Sequence, residues 1–210
     1  MNFKIIDMEK YERKEHFEHY AHRCNCSYSL TANIDVTGLV EKMQSDNLKF
    51  YPTFIYIVTK AVNSIKEFRM AVNEKGELGV YNEVSASYVI FHSDDKTFSS
   101  AFTRYNSDFK KFYKAITDDM EKYKDIKGYE TIKSDPNNFP VSCLPWINYS
   151  GFNLNLPING NFYAPIITWG KYEDVNGKLL MPITVQINHA VADGYHTSML
   201  FKEIQQICFS

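Results

Sequence analysis

The sequence predicts an α/β fold, a two-layer sandwich in which a large mixed β-sheet is flanked by helices. Three observations carry that prediction. Apolar and polar residues alternate along residues 26–36 and through much of the last third of the chain, as half-buried strands require. Segments with apolar residues at helical spacing, 52–65 and 108–123, lie between the strand-like ones. No internal repeat, low-complexity tract or linker divides the 210 residues, so residues 1–210 read as one domain.

The elements follow in order. Residues 3–6 read as a short strand and 11–23 as an amphipathic helix with Tyr11, Phe17 and Tyr20 on one face. In 26–36, Tyr28, Leu30, Ala32, Ile34 and Val36 form the apolar face of a strand. Thr37 is placed to N-cap a helix through Met43. Pro52 opens the next helix, where a missing N–H costs nothing, and its apolar residues cover more than one face. Strands at 68–72 and 78–81 flank the turn residues 73–76, and strands at 87–91 and 97–102 flank 93–96. Residues 108–123 form a polar helix with the stripe Phe109, Phe112, Ala115, Ile116 and Met120. Strands are expected near 140–144, 152–156, 164–171 and 179–188, and Asn176-Gly177 joins the last two as a hairpin. A helix over 194–207 closes the chain.

Composition removes several function classes. With 44% hydrophobic and 23% charged residues, the chain is not intrinsically disordered. Lys plus Arg number 23 against 25 for Asp plus Glu, a net charge of −2 that offers no basic field for nucleic acid or an anionic membrane. The 15 Tyr, 15 Phe and 2 Trp suit a thick core and an aromatic pocket or interface. The start, with Asp7 inside its first apolar residues, does not read as a secretory signal, and the apolar run 54–58 is too short to span a bilayer. A cytoplasmic protein with reduced thiols is therefore expected. Cys24, Cys26, Cys143 and Cys208 give one C-x-C pair and no second pair, so no metal site is expected.

The most informative run is 185–196, which ends an apolar strand at His189 and starts a helix after Asp193-Gly194. A strand-end histidine projects toward a cleft and titrates near neutrality, so it can take a proton from an alcohol and return it. Asp193 is placed to accept backbone N–H groups or an arginine. From these residues alone, a structural histidine beside a helix-capping aspartate is the commoner reading, because structural networks also produce such pairs.

This run resembles the H-x-x-x-D-G signature of the chloramphenicol acetyltransferases. The resemblance extends through residues 13–20, Phe50-Tyr51-Pro52, Glu67-Phe68-Arg69, Thr97-Phe98-Ser99, Ser142-x-Leu144-Pro145-Trp146, 151–155, 164–168 and Gly170-Lys171-Tyr172, in order over nearly the full length. The signature by itself is shared with the acyltransferase cores of 2-oxo acid dehydrogenase complexes. Those would carry lipoyl and peripheral-subunit-binding domains, for which 210 residues leave no room.

The resemblance implies a homotrimer with active sites at the subunit interfaces. It implies acetyl transfer from acetyl-coenzyme A, a co-substrate and not a bound cofactor, to the 3-hydroxyl of chloramphenicol, which inactivates the antibiotic. His189 matches the general base, with its other ring nitrogen held by its own backbone carbonyl. Ser142 matches the donor to the oxyanion, and Thr168 a residue that holds a water. Asp193 and Arg13 match a bracing ion pair. Tyr20, Cys26, Phe98, Tyr129, Phe152 and Leu154 match the drug pocket, and Trp146 and Tyr172 the coenzyme A channel. The sequence departs from the family at Asn188, usually histidine, and at Ala192, commonly cysteine. A pocket-lining Cys26 implies sensitivity to thiol reagents. Transfer to another small hydroxyl compound, and a trimeric binding module without chemistry, are the competing readings.

Overall fold

Alternation along one long strand sets the layers. In the computed structural model, which describes residues 2–129, 133–155 and 162–209, residues Lys178–Asn188 form strand β10. Met181, Ile183, Val185 and Ile187 are fully buried on one face. Thr184 and Gln186 point to the other.

The strands before it, in chain order, are β1 (Phe3–Ile5), β2 (Ser27–Asp35), β3 (Met70–Val72), β4 (Leu78–Tyr81), β5 (Ser85–His92), β6 (Thr97–Phe102), β7 (Asn138–Leu144), β8 (Ile166–Gly170) and β9 (Glu173–Val175). A seven-stranded sheet runs β2-β10-β8-β7-β5-β6, with β9 pairing β10. It is mixed, because β7 pairs parallel with both β5 and β8 while the other pairs are antiparallel. A second sheet, β1-β4-β3, has three strands.

The helices are α1 (Lys14–Glu18), α2 (Thr37–Ser45), α3 (Phe50–Ser64), α4 (Phe109–Tyr123) and α5 (Gly194–Cys208). Ten of the fifteen residues of α3 are buried, as a helix apolar on several faces must be. Phe54 of α3 meets Trp169 of β8 edge-on at 5.0 Å, and Trp169 is register partner to Ile183. The core therefore lies between α3 and the Ile183 face of the sheet. Asp108 caps α4 by accepting the Lys111 N–H at 3.2 Å.

Four expectations change. Thr37 is the first residue of α2 and not its cap; the Asp35 carboxylate accepts both its N–H and its hydroxyl, at 3.0 and 2.6 Å. Pro52 is the third residue of α3, still within the turn whose N–H groups lack helical partners. The expected strand at 164–171 is followed by a separate short strand, so the Asn176-Gly177 turn, with φ of +55° and +81°, joins β9 to β10. Residues 152–155 form no strand, and residue 156 lies outside the described residues.

The segment around 152–155 is held to the sheet nonetheless, because a side chain replaces the missing strand neighbour. The Gln186 amide donates to Leu154 O at 2.7 Å and accepts Leu154 N–H at 2.8 Å. Ser29 Oγ donates to Asn153 Oδ1 at 2.8 Å, and Tyr149 Oη donates to Thr168 O at 2.6 Å. Residues 149–154 are thus tied across the Thr184 face, which the described helices leave open.

Gly170 permits this crossing. A Cβ there would lie 2.8 Å from Ile147 O and 2.9 Å from both the Pro182 and Tyr149 side chains. Gly170→Ala is expected to cost about 1–3 kcal/mol, as overpacking does, read as a lower urea midpoint at unchanged slope; an unaltered midpoint would show that the segment yields freely.

Candidate active site

Two clusters of side chains stand at opposite ends and faces of the sheet. The first forms where β10 ends. The His189 N–H donates to Cys26 O at 3.0 Å, carrying the β2–β10 pairing one residue further. Residues 19–23 form a π-helical turn after α1, and Tyr20 in that turn lies flat on the imidazole of His189. Their ring centroids are 3.8 Å apart and the planes 6° from parallel. Tyr28 meets the imidazole at a steep angle from 5.0 Å. The His189 Nδ1 is buried with no hydrogen-bond partner among the described residues. The carbonyl latch implied by the resemblance is therefore not formed, and the two tyrosine rings confine the imidazole instead.

Asp193 makes no hydrogen bond to His189. It caps α5, accepting the Tyr195 N–H at 3.0 Å, and takes Arg13 Nη1 at 2.5 Å. His196 Nδ1 lies 2.9 Å from Asp193 Oδ1 and accepts the Asp193 N–H at 3.2 Å, closing a capping box. His196 Nε2 faces Glu67 at 4.0 Å. Burial opposes ionisation of Asp193, yet the Arg13 hydrogen bond, the fields of His196 and Arg13 and the Tyr195 N–H outweigh it. Together they bring the carboxyl down to about 2. The Arg13–Asp193 pair thus ties α1 to the turn that follows His189.

The second cluster lies on the opposite face. Ser142 of β7 is register partner to Thr168 of β8, and Thr168 to Thr184 of β10, which hydrogen-bonds Thr31 of β2 at 2.7 Å. These four residues make a row of hydroxyls across four strands. Thr168 is 2% exposed; no hydrogen bond among the described residues engages the Ser142 hydroxyl. Strand alternation carries the same face to Phe91 and its register partner Phe98. Phe98 meets Tyr129 at 6.4 Å, and both rings are exposed. Phe152 packs on Tyr149 at 6.0 Å, and Leu154 is exposed beside it.

Trp146 packs on Phe91 at 4.9 Å, at the mouth of an apolar cavity of about 320 Å³ lined by Tyr51, Val89, Cys143 and Pro145. Tyr172 packs instead on Phe50 at 5.7 Å.

Thr184 is five residues before His189, so Thr168 and His189 are separated by roughly 16 Å along the strand direction. Ser142 is a further strand away. Thus Tyr20, Cys26, Arg13 and Asp193 gather around His189, whereas Phe98, Tyr129, Phe152, Leu154 and Trp146 gather on the side of Ser142 and Thr168. The chain does not bring the two groups together.

The family model described as chloramphenicol acetyltransferase matches residues 1–205. A chloramphenicol acetyltransferase of Clostridium butyricum is 43% identical over 211 residues, covering 100% of this chain and 96% of the relative. One from Clostridium perfringens is 44% identical, covering 99% and 95%.

The chain belongs to the chloramphenicol acetyltransferase family.

Chloramphenicol acetyltransferase 3 of Escherichia coli is 39% identical, with 100% of this chain and 99% of the relative covered. Among solved structures, a chloramphenicol acetyltransferase superposes with a TM-score of 0.85 at 24% identity, over 98% of this chain and 99% of the other. The catalytic core of a 2-oxoacid dehydrogenase complex from Thermoplasma acidophilum gives 0.68 at 13% identity, over 98% and 97%. These two superpositions speak to the fold alone.

Four residues of this acetyltransferase-family site escaped the reading of the sequence. Tyr28 was placed only on an apolar strand face, although its register with Ile187 put it one step from His189. Gln186 was a visible signal, an amide between Val185 and Ile187 in a largely apolar strand. Glu67 and His196 approach only through the fold. Among the described residues no grouping of His, Cys, Asp and Glu could hold a metal, and no helix is long and apolar enough to cross a membrane.

Because Asp193 titrates lower folded than unfolded, its contribution is complete above about pH 5 and is lost as pH falls through 2. Wild type should lose about 1–2 kcal/mol across that window through this group, and Asp193→Asn should lack that increment while being less stable at pH 7. Parallel acid-unfolding slopes for the two proteins would refute it.

Proposed function

We propose that this protein acetylates the 3-hydroxyl of chloramphenicol with acetyl-coenzyme A as co-substrate, so inactivating the antibiotic, and that it acts in the cytoplasm as one whole-chain domain assembled as a homotrimer. Family membership over the full length supports the reaction class. The observation that carries the mechanism is the imidazole of His189 held between two tyrosines at the end of β10.

His189 is the general base. Its Nδ1 is buried, which leaves Nε2 to take the hydroxyl proton as the alcohol oxygen attacks the thioester carbonyl. Tyr20 positions the ring, and the Arg13–Asp193 pair braces the turn behind it. The tetrahedral intermediate carries negative charge on the former carbonyl oxygen. The unengaged Ser142 hydroxyl donates to it, a contribution of about 2.7–4 kcal/mol in comparable sites. Thr168, beside it in the row of hydroxyls, holds a water. The intermediate collapses as the thiol of coenzyme A leaves, taking the proton back from His189.

Base and oxyanion donor are on opposite faces of one chain and roughly 16 Å apart or more. They can act together only when His189 of one copy faces Ser142 of the next, which supports active sites at the interfaces of the trimer. The first copy then also gives Tyr20 and Cys26. The second gives Phe98, Tyr129, Phe152 and Leu154, an aromatic and aliphatic lining suited to a nitrophenyl ring and a dichloroacetyl group. The cavity under Trp146 suits the pantetheine arm, with Tyr172 further along the channel.

Thiol release from acetyl-coenzyme A should be rapid with chloramphenicol and absent with 3-deoxychloramphenicol; equal rates would refute acetylation at the 3-hydroxyl. His189→Ala should abolish turnover yet retain chloramphenicol binding. Ser142→Ala should lower kcat about 10²–10³-fold. Co-refolding these two inactive variants should restore about a quarter of wild-type activity, because a cyclic assembly then pairs intact halves at random. No recovery would refute sites shared between copies.

A further inference from the structure

We propose that Cys24 and Cys26 form a redox-active dithiol at the mouth of the His189 site, a modification site that low-molecular-weight disulfides close to an intrachain bond. The inference stands on the geometry of the loop between the π-helical turn and β2. One residue separates the two cysteines, and that residue, Asn25, has a φ of +48°. A residue in the left-handed helical region brings its two neighbours' Cα atoms to about 5.4 Å. That is inside the window of 4.4–6.8 Å that disulfides occupy. Burial and then the neighbouring Cys24 side chain raise the Cys26 thiol, so the two groups lie close to each other. Both ends of the loop are pinned, Cys24 N–H donating to His19 O at 2.9 Å and Cys26 O accepting the His189 N–H at 3.0 Å.

The two thiols are unequal. Cys24 is exposed, whereas Cys26 is half-buried and burial pushes its thiol up. Cys24 therefore meets the oxidant first. Its thiolate attacks one sulfur of a small disulfide such as oxidised glutathione and expels one thiol, leaving a mixed disulfide. The Cys26 thiolate then displaces the second thiol and closes the ring. Two protein thiols lose two electrons and two protons, and the small disulfide is reduced to two thiols. The other cysteines do not compete: Cys143 and Cys208 are pushed up to about 12 by burial. A ring so small is strained and returns to the dithiol in a reducing medium, as labile, regulatory disulfides do.

Closure acts on catalysis through Cys26. Its carbonyl anchors the backbone of His189 and its side chain belongs to the pocket of the proposed function, so this consequence rests on that reading, whereas the chemistry of the pair does not. The full-length protein incubated with oxidised glutathione, then alkylated in denaturant, should lose the mass of two hydrogens and exactly the two thiols of the fragment bearing Cys24 and Cys26. Dithiothreitol should restore both. Cys24→Ala should keep wild-type activity and yield at most a glutathione adduct on Cys26, without closure. A wild-type protein that stays unmodified, stops at a glutathione adduct or cross-links to another chain would overturn the dithiol. The acetyl-transfer rate should fall several-fold on closure and recover on reduction, whereas Cys24→Ala should lose rate only in proportion to the glutathione adduct its Cys26 carries. Closure at an unchanged rate would overturn its coupling to His189 alone, and the mass readout holds even for a protein that acetylates nothing.

Discussion

The structure depends on the two faces of β10. Its odd-numbered residues from Met181 to Ile187 are buried against the helix layer, where each large aliphatic side chain contributes about 1.5–3 kcal/mol. Its even-numbered residues Thr184 and Gln186 are buried too, but under polar partners. A slip of one residue would put Thr184 and Gln186 among the aliphatic side chains, leave their polar groups without those partners, and expose Ile183 and Val185 to the hydroxyl row. The register is therefore fixed from both sides. His189 inherits its place from it, because its N–H is the next rung of the β2–β10 ladder.

The same alternation divides the chemistry. A strand cannot present neighbouring residues to one face, and a distance of five residues along β10 cannot be folded away. The imidazole of His189 and the hydroxyl row of Ser142 and Thr168 belong to different surfaces of the chain. In the assembly proposed above, this separation places the two groups on facing copies. The imidazole needs no carboxylate partner in such an arrangement, because stacked rings restrict its orientation and Asp193 is engaged with Arg13.

Side-chain amides do part of the work that strands usually do. Gln186 docks the backbone of Leu154, Gln205 docks that of Asp35 at 2.8–2.9 Å, and Asn63 docks that of Val84 with two bonds of 2.8 Å. Each amide offers one donor and one acceptor at the spacing of a peptide group. This is why residues 152–155 alternate like a strand and yet are not one. Alternation records that a segment suits the edge of a sheet. It does not record whether its hydrogen-bond partner is a backbone or a side chain.

The sequence by itself determined the layers, nearly every element, and the strand-end placement of His189 before a capping Asp193. Those features are local: period-two and helical patterns, turn residues such as Asn176-Gly177, and caps such as Asp193 act within a few residues. The resemblance in eight ordered motifs named the residues of the candidate site but not their arrangement. Only the tertiary structure decided that Tyr20 stacks on His189, that Tyr28 and His196 join the cluster, and that Ser142 and Thr168 lie elsewhere. The ring contacts on His189 and the Arg13–Asp193 pair span 161 to 180 residues of chain. They follow from strand register and helix packing, which summed burial across the whole molecule selects and no short window of sequence contains.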